Sequence, residues 1–166
     1  AFAQLAAKHT KAELWVVGPD EGEIFTEMKK VLGACSPQVF RVDYVDKPER
    51  FMQAADLFCL PSYREGFGSS VIEAAACGVP ALVSRIYGLT DAVVEGQTGW
   101  MYEAGNVPEL VTHLDALFET PTKLHIRGDA ARARVERLFK QNLITDEMVD
   151  FYKRRIQLAT ARSTSR

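Results

Sequence analysis

The sequence predicts an α/β fold, a mostly parallel sheet covered by helices on both faces. Two observations lead there. Short apolar runs, such as Leu14-Trp15-Val16-Val17 and Leu57-Phe58-Cys59-Leu60, alternate with segments whose apolar residues recur at helical spacing. Glycine and proline punctuate the boundaries, at Gly18-Pro19, Gly33 and Gly78-Val79-Pro80.

Residues 2–9 read as a helix with Phe2, Leu5 and Ala6 on one face. Residues 14–17 form a strand stopped by Gly18-Pro19. Residues 24–32 have helical spacing and end near Gly33. Residues 39–45 alternate and read as a strand. Residues 48–55 suit a short helix with Pro48 in its first turn. Residues 57–60 are a strand ended by Pro61. Residues 70–77 are a helix, with Gly78 as a left-handed cap and Pro80 preventing continuation. Residues 81–84 are a further strand. Residues 93–102, with Gly96 and Gly99, form one or two short strands. Helices then follow Pro108, over 109–118, 123–139 and 145–161.

The chain has 166 residues, 47% hydrophobic and 25% charged, as expected of one soluble domain with a real core. Residues 1–162 are assigned to that domain, and 163–166 to a frayed tail. The chain starts inside a helix, whereas a βαβ unit has a strand before it. The expectation is therefore that the first strand and its loop are missing and the chain is a C-terminal half. No apolar run has the length of a membrane span. Three scattered cysteines, Cys35, Cys59 and Cys77, suit a reducing cytosol better than a disulfide framework. Net charge is −2 but uneven: from Lys123 on, 11 Lys/Arg face 5 Asp/Glu, a net of +6. A basic end of this kind suits anionic lipid or nucleic acid. With few aromatics and no nucleic-acid motif, it reads here as a solvated helical face.

The densest signal is Glu65-Gly66-Phe67-Gly68-Ser69-Ser70-Val71-Ile72-Glu73, directly after the strand that ends at Pro61-Ser62. In parallel α/β sheets, ligands bind beyond the carboxyl ends of the strands. Glycines let a ligand approach the main chain, and the bare N–H groups of a helix start attract an anion. Carboxylates on either side accept from sugar or ribose hydroxyls. A phosphate between two polyols is the outline of a nucleotide sugar. Ser70 and Glu73 equally fit a Ser-x-x-Glu capping box, which would make Glu73 structural. Glu65 also reads as a surface carboxylate, and the glycines as a tight turn only.

Taken together, Ala55-Asp56, Pro61-Ser62, Glu65, Glu73, Ala76-Cys77-Gly78-Val79-Pro80 and Gly96-Gln97-Thr98-Gly99-Trp100 resemble a known pattern. It is that of the C-terminal, donor-binding domain of GT-B glycosyltransferases of the retaining family 4 (glycosyl transferases group 1). The hallmark of that family is two glutamates separated by seven residues, which Glu65 and Glu73 match. The resemblance spans residues 1–120 and implies a Rossmann-like sheet and a nucleotide diphosphate sugar, such as a UDP- or GDP-hexose, as substrate. It implies that Glu73 accepts from the ribose hydroxyls and that Glu65, the catalytic candidate, binds the donor hexose. The N–H groups of Gly66, Phe67 and Gly68 would contact the sugar, and those of Ser69 and Ser70 the diphosphate. Tyr44 and Val45 match the place where the base packs, although they equally suit an ordinary strand end. Asp43 stands where the family often has glycine.

The resemblance also implies an N-terminal acceptor domain as partner. An Arg and a Lys from the first strand–loop of the present domain would reach the diphosphate, and no residue here replaces them. Retention at the anomeric carbon, a cytoplasmic setting and peripheral contact of the full protein with the inner membrane face follow as expectations. No cofactor is implied. No Asp-x-Asp motif or His/Cys/Asp cluster suggests a metal. His9, His113 and His125 lie in helical segments and receive no catalytic role, and Arg64 reads as a surface residue. A non-catalytic nucleotide-binding module, or a half-site completed by another chain, is the competing reading. A flavodoxin-like or receiver domain fits the alternation alone but lacks an acidic cluster after a first strand.

Overall fold

The computed structural model describes residues 1–20, 22 and 24–164, apart from the side chains of residues 35, 36 and 159–164. The elements in order are α1 (Phe2–Lys8), β1 (Leu14–Val17), α2 (Ile24–Leu32), a 3-10 helix (Gly33–Gln38), β2 (Val39–Val42), α3 (Glu49–Ala54) and β3 (Phe58–Leu60). Then come α4 (Ser69–Ala76), β4 (Ala81–Ser84), α5 (Tyr87–Thr90), β5 (Gly99–Tyr102), α6 (Val107–Phe118), α7 (Pro121–Leu138) and α8 (Gln141–Thr164). Strands and helices alternate and every strand pair is parallel.

The strands form two hydrogen-bonded groups rather than one continuous sheet. β1 pairs with β2, Leu14 opposite Val39, and the second group runs β3-β4-β5. Among the described residues no ladder joins β1 to β3. Strand type is set by the local apolar run, whereas pairing depends on which edges meet, so the division was not legible locally.

The core sits on both faces of β4, whose four residues are all buried. Side chains alternate along a strand. Ala81 and Val83 therefore join Val71 of α4, Leu89 of α5, Ala92, Val93 and Met101 on one face. Leu82 joins Tyr102, Leu110 and Leu117, with Ala1 and Trp100 packed alongside, on the other. Leu82 and Val83 are 0% exposed, each burial contributing about 1.5–3 kcal/mol. β4 is thus fully covered, which explains its apolar run Ala81-Leu82-Val83, and the buried Ser84 that ends it donates to the Tyr102 hydroxyl at 3.4 Å.

α4 ends as expected. Gly78 adopts φ 81, its N–H bonds Ala75 O at 2.9 Å, and the Val79 N–H bonds Ala74 O at 3.0 Å. This pair of bonds is a Schellman motif, and the left-handed φ explains the glycine. α7 packs against α4 through Ala131 and Val135 on Ala75. Asn106 caps α6, accepting from the Glu109 N–H at 3.1 Å.

Other expectations change. β2 stops at Val42, so Tyr44 and Val45 lie in the loop after the strand. Residues 93–102 hold one strand, β5, with a lone bridge between Glu95 and Gly99 before it. α8 begins at Gln141 and runs to Thr164, so Ser163 and Thr164 of the expected tail are helical. Ser165 and Arg166 lie outside the described residues. No helix among the described residues is long and apolar enough to cross a membrane.

Candidate functional site

β3 ends at Leu60, and eight residues later Gly68 opens α4. Gly68 is the N-cap, at φ 69 and ψ 48, the left-handed region that glycine enters without strain. This corrects the capping-box expectation. Ser70 lies inside the helix, and no side chain among the described residues caps α4. Glycine at the turn lets the helix start two residues earlier than a Ser70 cap would. Glu73 sits in the second helical turn, exposed, where it cannot reach back as a box partner.

The opening turn presents main-chain donors of the kind that suit an anion. Gly68 O already accepts from the Val71 N–H at 2.9 Å. The N–H groups of Ser69 and Ser70, in the first helical turn, have no acceptor within the helix. The helix dipole adds positive potential at this end. Gly66 is exposed and a Cβ there would meet nothing within 4 Å, so its main chain is open to a ligand.

Glu65 is half-buried and oriented. Ser62 Oγ donates to Glu65 Oε1 at 2.7 Å, across the loop that follows Pro61. Phe67 presents a half-exposed ring that meets Phe139, at the end of α7, with centroids 5.8 Å apart. Arg134 of α7 stacks over Phe139 at 4.9 Å and donates to Asp91 O at 2.7 Å and Ala92 O at 3.2 Å. Burial, and then the charge of Arg137, lower the pKa of Arg134.

The structure therefore brings Glu65, Gly66, Phe67, Gly68, Ser69, Ser70 and Glu73 together on one turn and helix start. Tyr44 and Val45 also follow a strand's carboxyl end, but β2 belongs to the other hydrogen-bonded group. No hydrogen bond, ion pair or ring contact among the described residues links them to the α4 turn. Arg64 is exposed. His9 lies in the α1–α6 contact, against the Phe118 ring and 3.5 Å from Asp115. Among the described residues no group of three His, Cys, Asp or Glu side chains could hold a metal. Ser62 entered the sequence pattern only as the partner of Pro61, and its bond to Glu65 had no sequence signal beyond proximity. Gly88, whose main chain lies against Glu65, was missed altogether.

A family model described as Glycosyl transferases group 1 matches residues 1–134. The chain is 29% identical over 153 residues to CapM, a capsular polysaccharide biosynthesis glycosyltransferase of Staphylococcus aureus. That alignment covers 92% of this chain and 40% of CapM, so the chain spans about two fifths of that relative. Among solved structures, it is similar to the C-terminal domain of LpcC, a glycosyl transferase group 1 family protein of Francisella tularensis. The TM-score is 0.74 at 20% identity, covering 84% of this chain and 75% of that one. HepE of Anabaena, solved in complex with UDP-glucose, superposes with a TM-score of 0.78 at 22% identity, over 85% of this chain and 40% of HepE.

Proposed function

The chain belongs to the glycosyl transferases group 1 and has the fold of a GT-B C-terminal domain; from that premise, we propose that its α4 turn is the donor site of a hexosyltransferase. The donor is a nucleotide diphosphate sugar, and the hexose passes to a hydroxyl acceptor with retention at the anomeric carbon. In this reading the N–H groups of Ser69 and Ser70 hold the diphosphate. Glu73 accepts from the ribose, and Glu65 with the turn N–H groups binds the hexose. Tyr44 and Val45 receive the base. As the glycosidic bond breaks, negative charge grows on the leaving nucleoside diphosphate. The α4 N-terminus stabilises that charge without moving, because its dipoles are fixed before the reaction.

The observation that carries the reading is the helix start itself. A left-handed glycine opens α4 with no side-chain cap, and among the described residues nothing accepts from the Ser69 and Ser70 N–H groups. Glu65 stands beside them, held by Ser62. The acceptor-binding domain and a cationic contact to the diphosphate belong to the proposal as parts of the whole enzyme, in glycan or glycoconjugate synthesis. Cytoplasmic location at the inner membrane face belongs to it in the same way.

Calorimetric titration with UDP, GDP and ADP and their glucose conjugates tests the reading. HepE was solved with UDP-glucose, so the uridine pair is the first probe. Saturable binding of one nucleotide that Glu73→Ala loses supports a donor site. Binding that Glu73→Ala retains in full contradicts the assignment.

A further inference from the structure

Residues 86–92, between β4 and β5, carry no recognisable motif, yet they lie against the site turn at two points. The first is Gly88 in α5, which is buried. Its φ lies outside the left-handed region, so its backbone is one any residue adopts. Glycine is needed there for space. A Cβ on Gly88 would stand 2.1 Å from Glu65 O, 2.6 Å from Glu65 C and 3.1 Å from Glu65 Cβ. These are main-chain atoms and the root of the side chain, so no rotamer change relieves the clash.

The second point is one residue on. A Cβ on Gly68 would meet Leu89 Cδ2 at 2.5 Å and Ala92 Cβ at 3.6 Å. Leu89 is 0% exposed and Ala92 4%, so this packing is part of the core. The α5 segment thus touches both ends of the turn, Glu65 through Gly88 and Gly68 through Leu89. Its far end is fixed by Arg134, through the carbonyl oxygens of Asp91 and Ala92.

We propose that Gly88 is a positioning residue for Glu65. By presenting no Cβ, it lets the Glu65 main chain seat directly on α5, and this contact sets how far the Glu65 carboxylate reaches toward the donor hexose. The inference rests on the donor-site reading. It is specific in one respect: the three atoms nearest to a Cβ at Gly88 all belong to Glu65. Displacement there acts on the sugar end of the ligand, not on the phosphate end at Ser69 and Ser70.

The test is Gly88→Ala, with UDP and UDP-glucose titrated separately and backbone NMR of the free protein. A misplaced contact group can cost up to about a hundredfold, so affinity for the sugar nucleotide should fall about tenfold while that for UDP stays within about twofold. The amide resonances of Glu65 to Gly68 should move in the free variant. A general loss of packing would weaken both ligands alike, and that result overturns the proposal. Equal affinities with unmoved turn resonances overturn it as well. If the wild-type protein binds neither ligand, the donor-site reading has failed and the inference falls with it. If Gly88→Ala does not fold, Thr90→Val removes the bond from Thr90 Oγ1 to Tyr87 O, 2.9 Å, that holds the peptide before Gly88, and must produce the same split between ligands. Its absence overturns the proposal.

Discussion

The Ser62 hydroxyl donates to Glu65 Oε1 at 2.7 Å, and Glu65 Oε2 has no hydrogen-bond partner among the described residues. One oxygen is therefore anchored and the other is open. Such an anchored carboxylate loses little freedom on binding a hydroxyl. A hydrogen bond to a charged group contributes about 1.5–3 kcal/mol. Ser62→Ala should accordingly lower sugar-nucleotide affinity about tenfold and melting temperature by a few degrees. Calorimetry beside a thermal melt checks both, and unchanged affinity contradicts the orienting role.

Glu73 is exposed in the second turn of α4 and caps nothing. Its replacement should leave the fold intact. Under the donor reading, Glu73→Ala loses a charged hydrogen bond to the ribose, which weakens nucleotide binding by about tenfold to a hundredfold. A large fall in melting temperature for this variant would show that the carboxylate serves the fold instead.

The two turn glycines should differ sharply. Gly68 sits at φ 69 with a Cβ position 2.5 Å from Leu89 Cδ2, whereas Gly66 has open space around it. A non-glycine residue in the left-handed region costs on the order of 1–3 kcal/mol. For a domain of this size that is a fall of roughly 2–4 °C in melting temperature per kcal/mol. Gly68→Ala should melt well below the wild type, whereas Gly66→Ala should melt at the wild-type temperature. Equal melting of both variants would contradict the packing described.

Burial pushes the Cys59 thiol of β3 up to about 11, from 9.0. The folded protein thus holds this proton more tightly than the unfolded chain. The sign follows: the contribution is fully present below pH 9 and is lost as pH rises through about 11. Two pKa units correspond to roughly 2–3 kcal/mol. Denaturant midpoints measured between pH 8 and 11 should fall less steeply in Cys59→Ala than in the wild type. Parallel slopes would contradict the burial of this thiol.

Most elements were legible because each carries its own local cause. Leu14-Trp15-Val16-Val17 is apolar throughout, and Gly78 and Pro80 mark a helix end that only such residues make. The site turn was legible for the same reason, since Glu65, Gly66, Gly68 and Glu73 are close in sequence. The start of α4 was misread because Ser70 and Glu73 fit a capping box while Gly68 offered a competing solution two residues earlier. α5 has four residues, too few to show a period. The partner of Gly88 lies in a different loop, so no local pattern announces it. The division of the strands into two groups is likewise a matter of which edges meet.

The central claim is that the α4 turn holds the phosphates and the sugar. Backbone NMR titration with UDP-glucose tests it most directly, because it locates binding residue by residue. The account predicts saturable shifts concentrated on Gly66 to Ser70 and on Glu73, with the amides of Ser69 and Ser70 moving most. Shifts centred on another part of the chain, or none in a folded protein at millimolar ligand, would contradict it.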